Sequence, residues 1–280
     1  MNEKIFDYYL SKAERYIDIE IARNKKEILN KVVEDKENKS ICNFYPNPED
    51  LEYLPKNSVL IKISFTMKKP YTSRDEGEFH IIEGKIFENP IVRDKFTGLP
   101  MVRPSTWKGH LRFAAGRVDE INGKKLDERT RREIVRRLFG SESDDETALK
   151  GRLYFFPTFF EEEAGGDVIT PLKRDTRTPA RGPISLEVMK SGAKGDFHLL
   201  YIPHSRGKDF KEEEVEEDLR FFAKTLKLMF YTYGFSAKKT SGFGVIEKLK
   251  EDDVVVRPED KKDIFSMLYA TVNNNVKDGE

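Results

Sequence analysis

The chain has 280 residues with fifty Lys and Arg against fifty Asp and Glu, so 36% of its residues are ionisable while the formal net charge is zero. That share exceeds the roughly 25% usual in globular proteins, yet 20 Phe, 11 Tyr and one Trp supply the bulk of a core and exclude a wholly disordered chain. No window approaches the ~18 uncharged apolar residues that span a bilayer, the first ten residues lack a secretory layout, and the single Cys42 forms neither an internal disulfide nor a cysteine-based zinc site; a soluble, cytoplasmic protein with no membrane partner is expected.

In chain order, Ile5, Tyr9, Leu10, Ala13 and Ile17, then Ile28, Leu29, Val32 and Val33, fall at helical spacing over residues 1–37. They predict a helical N-terminal extension over 1–57, broken by Pro46, Pro48 and Pro55. Ile61, Ile63, Phe65 and Met67 alternate with Lys62, Ser64, Thr66 and Lys68, the period-two pattern of a half-buried strand. Residues 68–104 form a Gly/Pro-rich excursion with a hairpin, too long for a routine connection. Ser105 is expected to cap a helix to about residue 117, and Asp127 a second one that Gly140 stops. Residues 152–157 read as a strand, 161–182 as a Gly/Pro/Arg-rich insertion, and 184–189 and 196–203 as two strands joined through Gly192 and Gly195 in a hairpin. Val215, Leu219, Phe222, Leu226, Met229 and Tyr233 line one stripe of a long helix ended by Gly234, and 243–249 reads as a closing strand. The order βαββαβ predicts an α+β, ferredoxin-like or RNA-recognition-type core over 58–249, with large insertions at about 68–104 and 161–182. Residues 250–280 form a C-terminal strand and helix appendage.

Zero net charge conceals local asymmetry. Residues 93–140 hold thirteen Lys/Arg against six Asp/Glu and 173–206 seven against three, whereas 141–163 hold two against seven and 208–220 three against seven. Such runs make basic and acidic faces, or simply solvated helix surfaces. Catalytic signatures are sparse: His80, His110, His198 and His204 have no metal-ligand spacing, and there is no P-loop or GxSxG. Two segments stand out. At the helix start, two hydroxyls (Ser105, Thr106), the Lys108 ammonium and free backbone amides converge where a phosphate fits; Gly109 allows close approach, Arg112 lies one turn on, and Arg93 belongs to the basic hairpin before them. The second is the loop at 234–244, in which Lys238, Lys239, Ser241, Gly242 and Gly244 offer cations, a hydroxyl and backbone amides for a phosphodiester. A capped surface helix and an ordinary turn are the plain alternatives.

The R-D-x-x-T-G-x-P turn at 93–100 and the S-x-x-K-G-x-x-R helix start at 105–112 resemble the signature of the RAMP superfamily, the guide-RNA-binding subunits of type III CRISPR effector complexes of the Csm and Cmr types. Further blocks follow in the family's order: 138–140 with 151–153, then 169–171 with Arg174 and Arg177, then 241–244. Arg103, Pro104 and Trp107 depart from the family's turn, which carries Pro, Gly and Leu there. The resemblance implies a ferredoxin-like core, guide RNA and target RNA as partners, contacts with sibling RAMP subunits and the large polymerase-like subunit, and a thumb-like hairpin over 161–182 bearing Arg174, Arg177 and Arg181. No cofactor is implied for binding. Glu88 stands where family members that cut target RNA carry Asp; cutting would make Glu88, or the nearby Asp94, a catalytic carboxylate that helps hold Mg²⁺. A guide-processing ribonuclease with a catalytic His is a further alternative, as is an RNA-recognition module of another system, although no run of exposed strand aromatics supports base stacking on the sheet.

Overall fold

Strand β1 (Val59–Thr66) forms where the alternation places it, with Ile61, Ile63 and Phe65 buried and Lys62, Ser64 and Thr66 partly exposed. A computed structural model describes residues 44–73, 80–82, 85–87, 90–94, 97–141, 148–173, 175–180, 182–203 and 210–269. The helix expected over 1–37 lies outside them. After β1 come a hairpin of β2 (His80–Ile82) and β3 (Lys85–Phe87), the short β4 (Met101–Val102), helix α1 (Pro104–Ala115), a small hairpin of β5 (Glu120–Ile121) and β6 (Lys124–Lys125), and helix α2 (Glu128–Phe139). The second half holds β7 (Leu153–Phe155), β8 (Thr158–Phe159), β9 (Gly165–Ile169), β10 (Ile184–Val188), β11 (Lys194–Tyr201), helix α3 (Glu213–Leu228) and β12 (Val254–Arg257).

Four strands build the central sheet in the order β12-β1-β11-β7, with every adjacent pair antiparallel. Helices α1 and α3 cover one face, and the core between them is aromatic. Trp107 of α1 is fully buried, meets Phe65, Phe197 and Phe235 at ring-centroid distances of 6.1, 5.0 and 4.4 Å, and donates from Nε1 to Thr158 Oγ1 at 3.2 Å. The result is a mixed α/β domain with an antiparallel sheet.

Four expectations are corrected. Ser105 does not cap α1: Arg103 is the cap residue and Pro104 occupies the first helical position, where its missing N–H costs nothing. The strands at 184–189 and 196–203 do not form a hairpin. β10 pairs with β9, and β11 pairs with β1 and β7, because the link between β10 and β11 is held on the end of β1 by Met67 and Ala193 (N to O, 2.8 Å) and by Gly192 and Met67 (2.7 Å). Residues 243–249 make a single bridge, Met67 to Ile246, since the Val245 carbonyl accepts from both Lys68 and Lys69 and so spoils the ladder. The place beside β1 goes instead to β12, whose Val254 and Val256 are buried; residues 250–269 thus supply an edge strand rather than an appendage. Asp127 and Gly140 behave as expected: the Asp127 side chain accepts from Thr130 N, and Gly140 follows the last turn of α2.

Candidate nucleic-acid interface

Trp107, Leu111, Ala114 and Ala115 bury one side of α1, which turns Ser105, Lys108, Gly109, Phe113, Gly116 and Arg117 outward along a single exposed stripe. Thr106 and Arg112 are half-buried at its borders. Because Trp107 N closes on Arg103 O at 3.1 Å and Pro104 has no N–H, the amides of Ser105 and Thr106 lack an intrahelical partner at the positive end of the helix dipole. Gly109 sits mid-helix with open space where a Cβ would stand, so nothing in this chain requires glycine there.

The loop at 234–244 is a scaffold more than an amide cradle. Ala237 N bonds Thr72 O, Gly244 N bonds Pro70 O, and Ser236 Oγ both accepts from Thr72 N and donates to Thr72 O. Ser241, Gly242 and Phe243 amides are spent on Lys238 and Lys239 carbonyls. Gly244 has φ +82°, and a Cβ there would lie 2.5 Å from Ser236 N, so only glycine fits. Gly242 also has positive φ, +79°, but faces open space, with Ser241 exposed beside it. The loop's side chains, by contrast, reach α1: Lys239 Nζ lies 3.8 Å from the centroid of the Phe113 ring, and the Arg117 guanidinium 3.6 Å from the same centroid. Among the described residues, Lys108, Arg117, Lys238 and Lys239 have no carboxylate partner. Partial burial and the Arg117 charge hold the Lys239 ammonium below its ordinary value, and burial with Lys239 nearby lowers His110 to about 4, leaving it neutral at pH 7.

The R-D-x-x-T-G turn has a different role from the one expected of it. Arg93 is not a surface cation: its guanidinium is almost buried and ion-pairs with Glu187 of β10, whose other oxygen accepts from Ile91 N at 2.9 Å. Asp94 Oδ2 accepts from both the amide and the hydroxyl of Thr97 at 2.7 Å, closing the turn. Arg177 is exposed near the tip of the β9–β10 hairpin with φ +57°. Glu88, Arg174 and Arg181 lie outside the described residues.

The family model of the RAMP superfamily matches residues 77–247. The chain belongs to the RAMP superfamily. Among curated relatives it is 29% identical over 197 residues, 66% of this chain and 86% of the relative, to the CRISPR system Cms endoribonuclease Csm3 of Streptococcus thermophilus. It is 30% identical over 125 residues to the protein of that name from Enterococcus italicus, covering 41% of this chain and 58% of the relative. Of solved structures, it is similar to a chain of the cryo-EM structure of the Type III-B Cmr-beta bound to cognate target RNA, with a TM-score of 0.49 and 17% identity over 85% of this chain and 77% of that one.

Membership in the superfamily bears on the two predicted segments, which the fold brings together through Lys239 and Phe113. Sequence reasoning gave Phe113, Arg117 and Glu187 no role and placed Tyr233 only on the apolar stripe of the long helix. An i, i+4 Phe–Arg pair on a helix stripe was a visible signal for the first two; Glu187, in a strand read only for its apolar residues, gave none. Among the described residues no group of three or more His, Cys, Asp or Glu is placed to hold a metal, and no helix is long and apolar enough to cross a membrane.

Proposed function

We propose that this chain is a guide-RNA-binding subunit of a type III CRISPR ribonucleoprotein, holding the RNA backbone along the α1 stripe and the 238–244 loop. The observation that carries this reading is the meeting, on one face, of cations from two segments distant in sequence that have no carboxylate partner among the described residues, beside two helix-start amides. Cations and amides of this kind hold phosphates without reading bases, which suits a guide whose sequence varies. The relatives' names and the superfamily supply the CRISPR context. The sheet order, in which the fourth core strand lies beside the first and the third beside both first and second, supports a ferredoxin-like core. Target RNA, sibling RAMP subunits and a large polymerase-like subunit are the proposed partners, in the cytoplasm.

A second reading, cleavage of target RNA, is favoured by the word endoribonuclease in the names of the relatives. Among the described residues Asp94 is engaged in its own turn and no group of three or more His, Cys, Asp or Glu is placed to hold a metal; Glu88 with Mg²⁺ is the candidate for cleavage. Two experiments separate the readings. In a salt series with unrelated RNA sequences, Lys108→Ala with Lys238→Ala should weaken binding equally for all and reduce the salt slope by roughly 0.7 per lost phosphate contact. An unchanged slope removes these residues from the RNA site. The assembled complex with matched target and Mg²⁺ is expected to bind equally well with Glu88→Ala; regular cuts that vanish in that variant would establish the second reading.

A further inference from the structure

Phe113 exposes 37% of its surface on the outer stripe of α1, an unusual place for a phenylalanine with a core available one residue away at Ala114. Two cations lie over its ring: the Arg117 guanidinium 3.6 Å and the Lys239 ammonium 3.8 Å from the centroid. Both are drawn to the negative potential of the aromatic ring, which holds them near one another. Arg117 is fixed further by donating from Nη1 to Phe113 O at 2.9 Å, and Tyr233 meets the Phe113 ring edge-on at 5.4 Å. Neither cation has a carboxylate partner among the described residues. Held together without neutralisation they repel, which adds to burial in lowering the Lys239 ammonium; an anion bound alongside them relieves the repulsion.

We infer that Phe113 is a positioning residue that spaces Arg117 and Lys239 into a clamp for successive backbone phosphates of a single RNA strand. This rests on the RNA-binding reading above, and extends it to three residues that act as a unit. The clamp lies on the same stripe as Lys108, so that the cations form a track along α1, which suits a polyphosphate chain better than an isolated carboxylate.

The test uses the full chain and an oligouridine RNA probe, with binding measured across a salt series. Replacing both cations (Arg117→Ala, Lys239→Ala) should lower the salt slope by roughly 0.7 per phosphate contact. Phe113→Leu, which keeps bulk but loses the aromatic faces, should weaken binding about two- to five-fold at unchanged melting temperature. Phe113→Tyr should restore it, and Phe113→Leu should have no further effect once both cations are gone. Parent-like binding by Phe113→Leu, or failure of Phe113→Tyr to restore it, overturns the clamp while leaving RNA binding in place. A parent chain that does not bind oligouridine, or binds it without salt dependence, overturns both.

Discussion

Gly109 illustrates how one residue separates stability from function. Glycine in a helix interior loses about 0.5–1 kcal/mol relative to alanine, and open space surrounds its Cβ position. Gly109→Ala should therefore raise stability by about that amount in denaturant melts, yet weaken RNA binding, because the added methyl stands on the stripe where the strand would run. Tighter or equal binding by the stabilised variant would take Gly109 out of the interface. His198 poses a different residue-scale question. It stacks on Tyr45 with centroids 3.8 Å apart and planes at 11°, and its Nδ1 is buried without a hydrogen-bond partner among the described residues. Burial, helped by Lys62 and opposed by Asp196, lowers its pKa from 6.5 to about 4. Between those values the unfolded chain binds the proton and the folded chain does not, so stability drops as pH falls through that window. His198→Phe keeps the stack and should flatten the pH dependence of urea melts between pH 6.5 and 4; an identical slope in parent and variant counts against this account.

At the scale of elements, α2, the residue just before β7, β11 and α3 are tied by one buried carboxylate. Asp218 accepts from Arg137 Nε and Arg152 Nη1 at 2.7 Å each, and from the Tyr201 hydroxyl at 2.9 Å, while Glu214 and Glu217 take the outer guanidinium nitrogens. Asp218 is fully buried. Asp218→Asn leaves two poorly compensated guanidiniums inside and should cost about 3–5 kcal/mol, read as a lower denaturation midpoint. A loss below about 1 kcal/mol would show that Glu214 and Glu217 suffice. The β9–β10 hairpin is likewise an element rather than a loose loop: its pairing runs from Gly165 with Val188 to Ile169 with Ile184 and continues as a bridge between Leu172 and Pro179. Its base packs Leu186 and Val188 on Phe243, which links the hairpin to the 234–244 loop.

For the molecule as a whole, the C-terminal segment decides whether there is a sheet to build on. Val254 and Val256 of β12 and Phe265 and Leu268 of the following 3₁₀ segment, Glu259–Leu268, are all buried in the main core. Ending the chain at Lys250 would remove them and expose the flank of β1, an edge on which Ile61 and Ile63 pair with Val256 and Val254. Such a truncation should lose cooperative unfolding and aggregate, as circular dichroism and size-exclusion chromatography would report. A stable, monomeric 1–250 fragment would return the segment to the status of an appendage.

Local pattern alone determined β1, the caps of α2 and the apolar stripe of α3, and it singled out the two candidate phosphate-binding segments, because alternation, capping and charge are properties of neighbours in sequence. The motif blocks likewise placed the chain in its superfamily. What only the tertiary structure decided were relations between distant residues. Whether β10 pairs with β9 or β11, and whether 243–249 or Val254–Arg257 borders β1, depends on competition for the same backbone groups. That Arg93 is consumed by Glu187 while Lys239 finds Phe113 was equally invisible, since a cation's availability is set by the carboxylate or ring that folding brings beside it, and no local spacing encodes that.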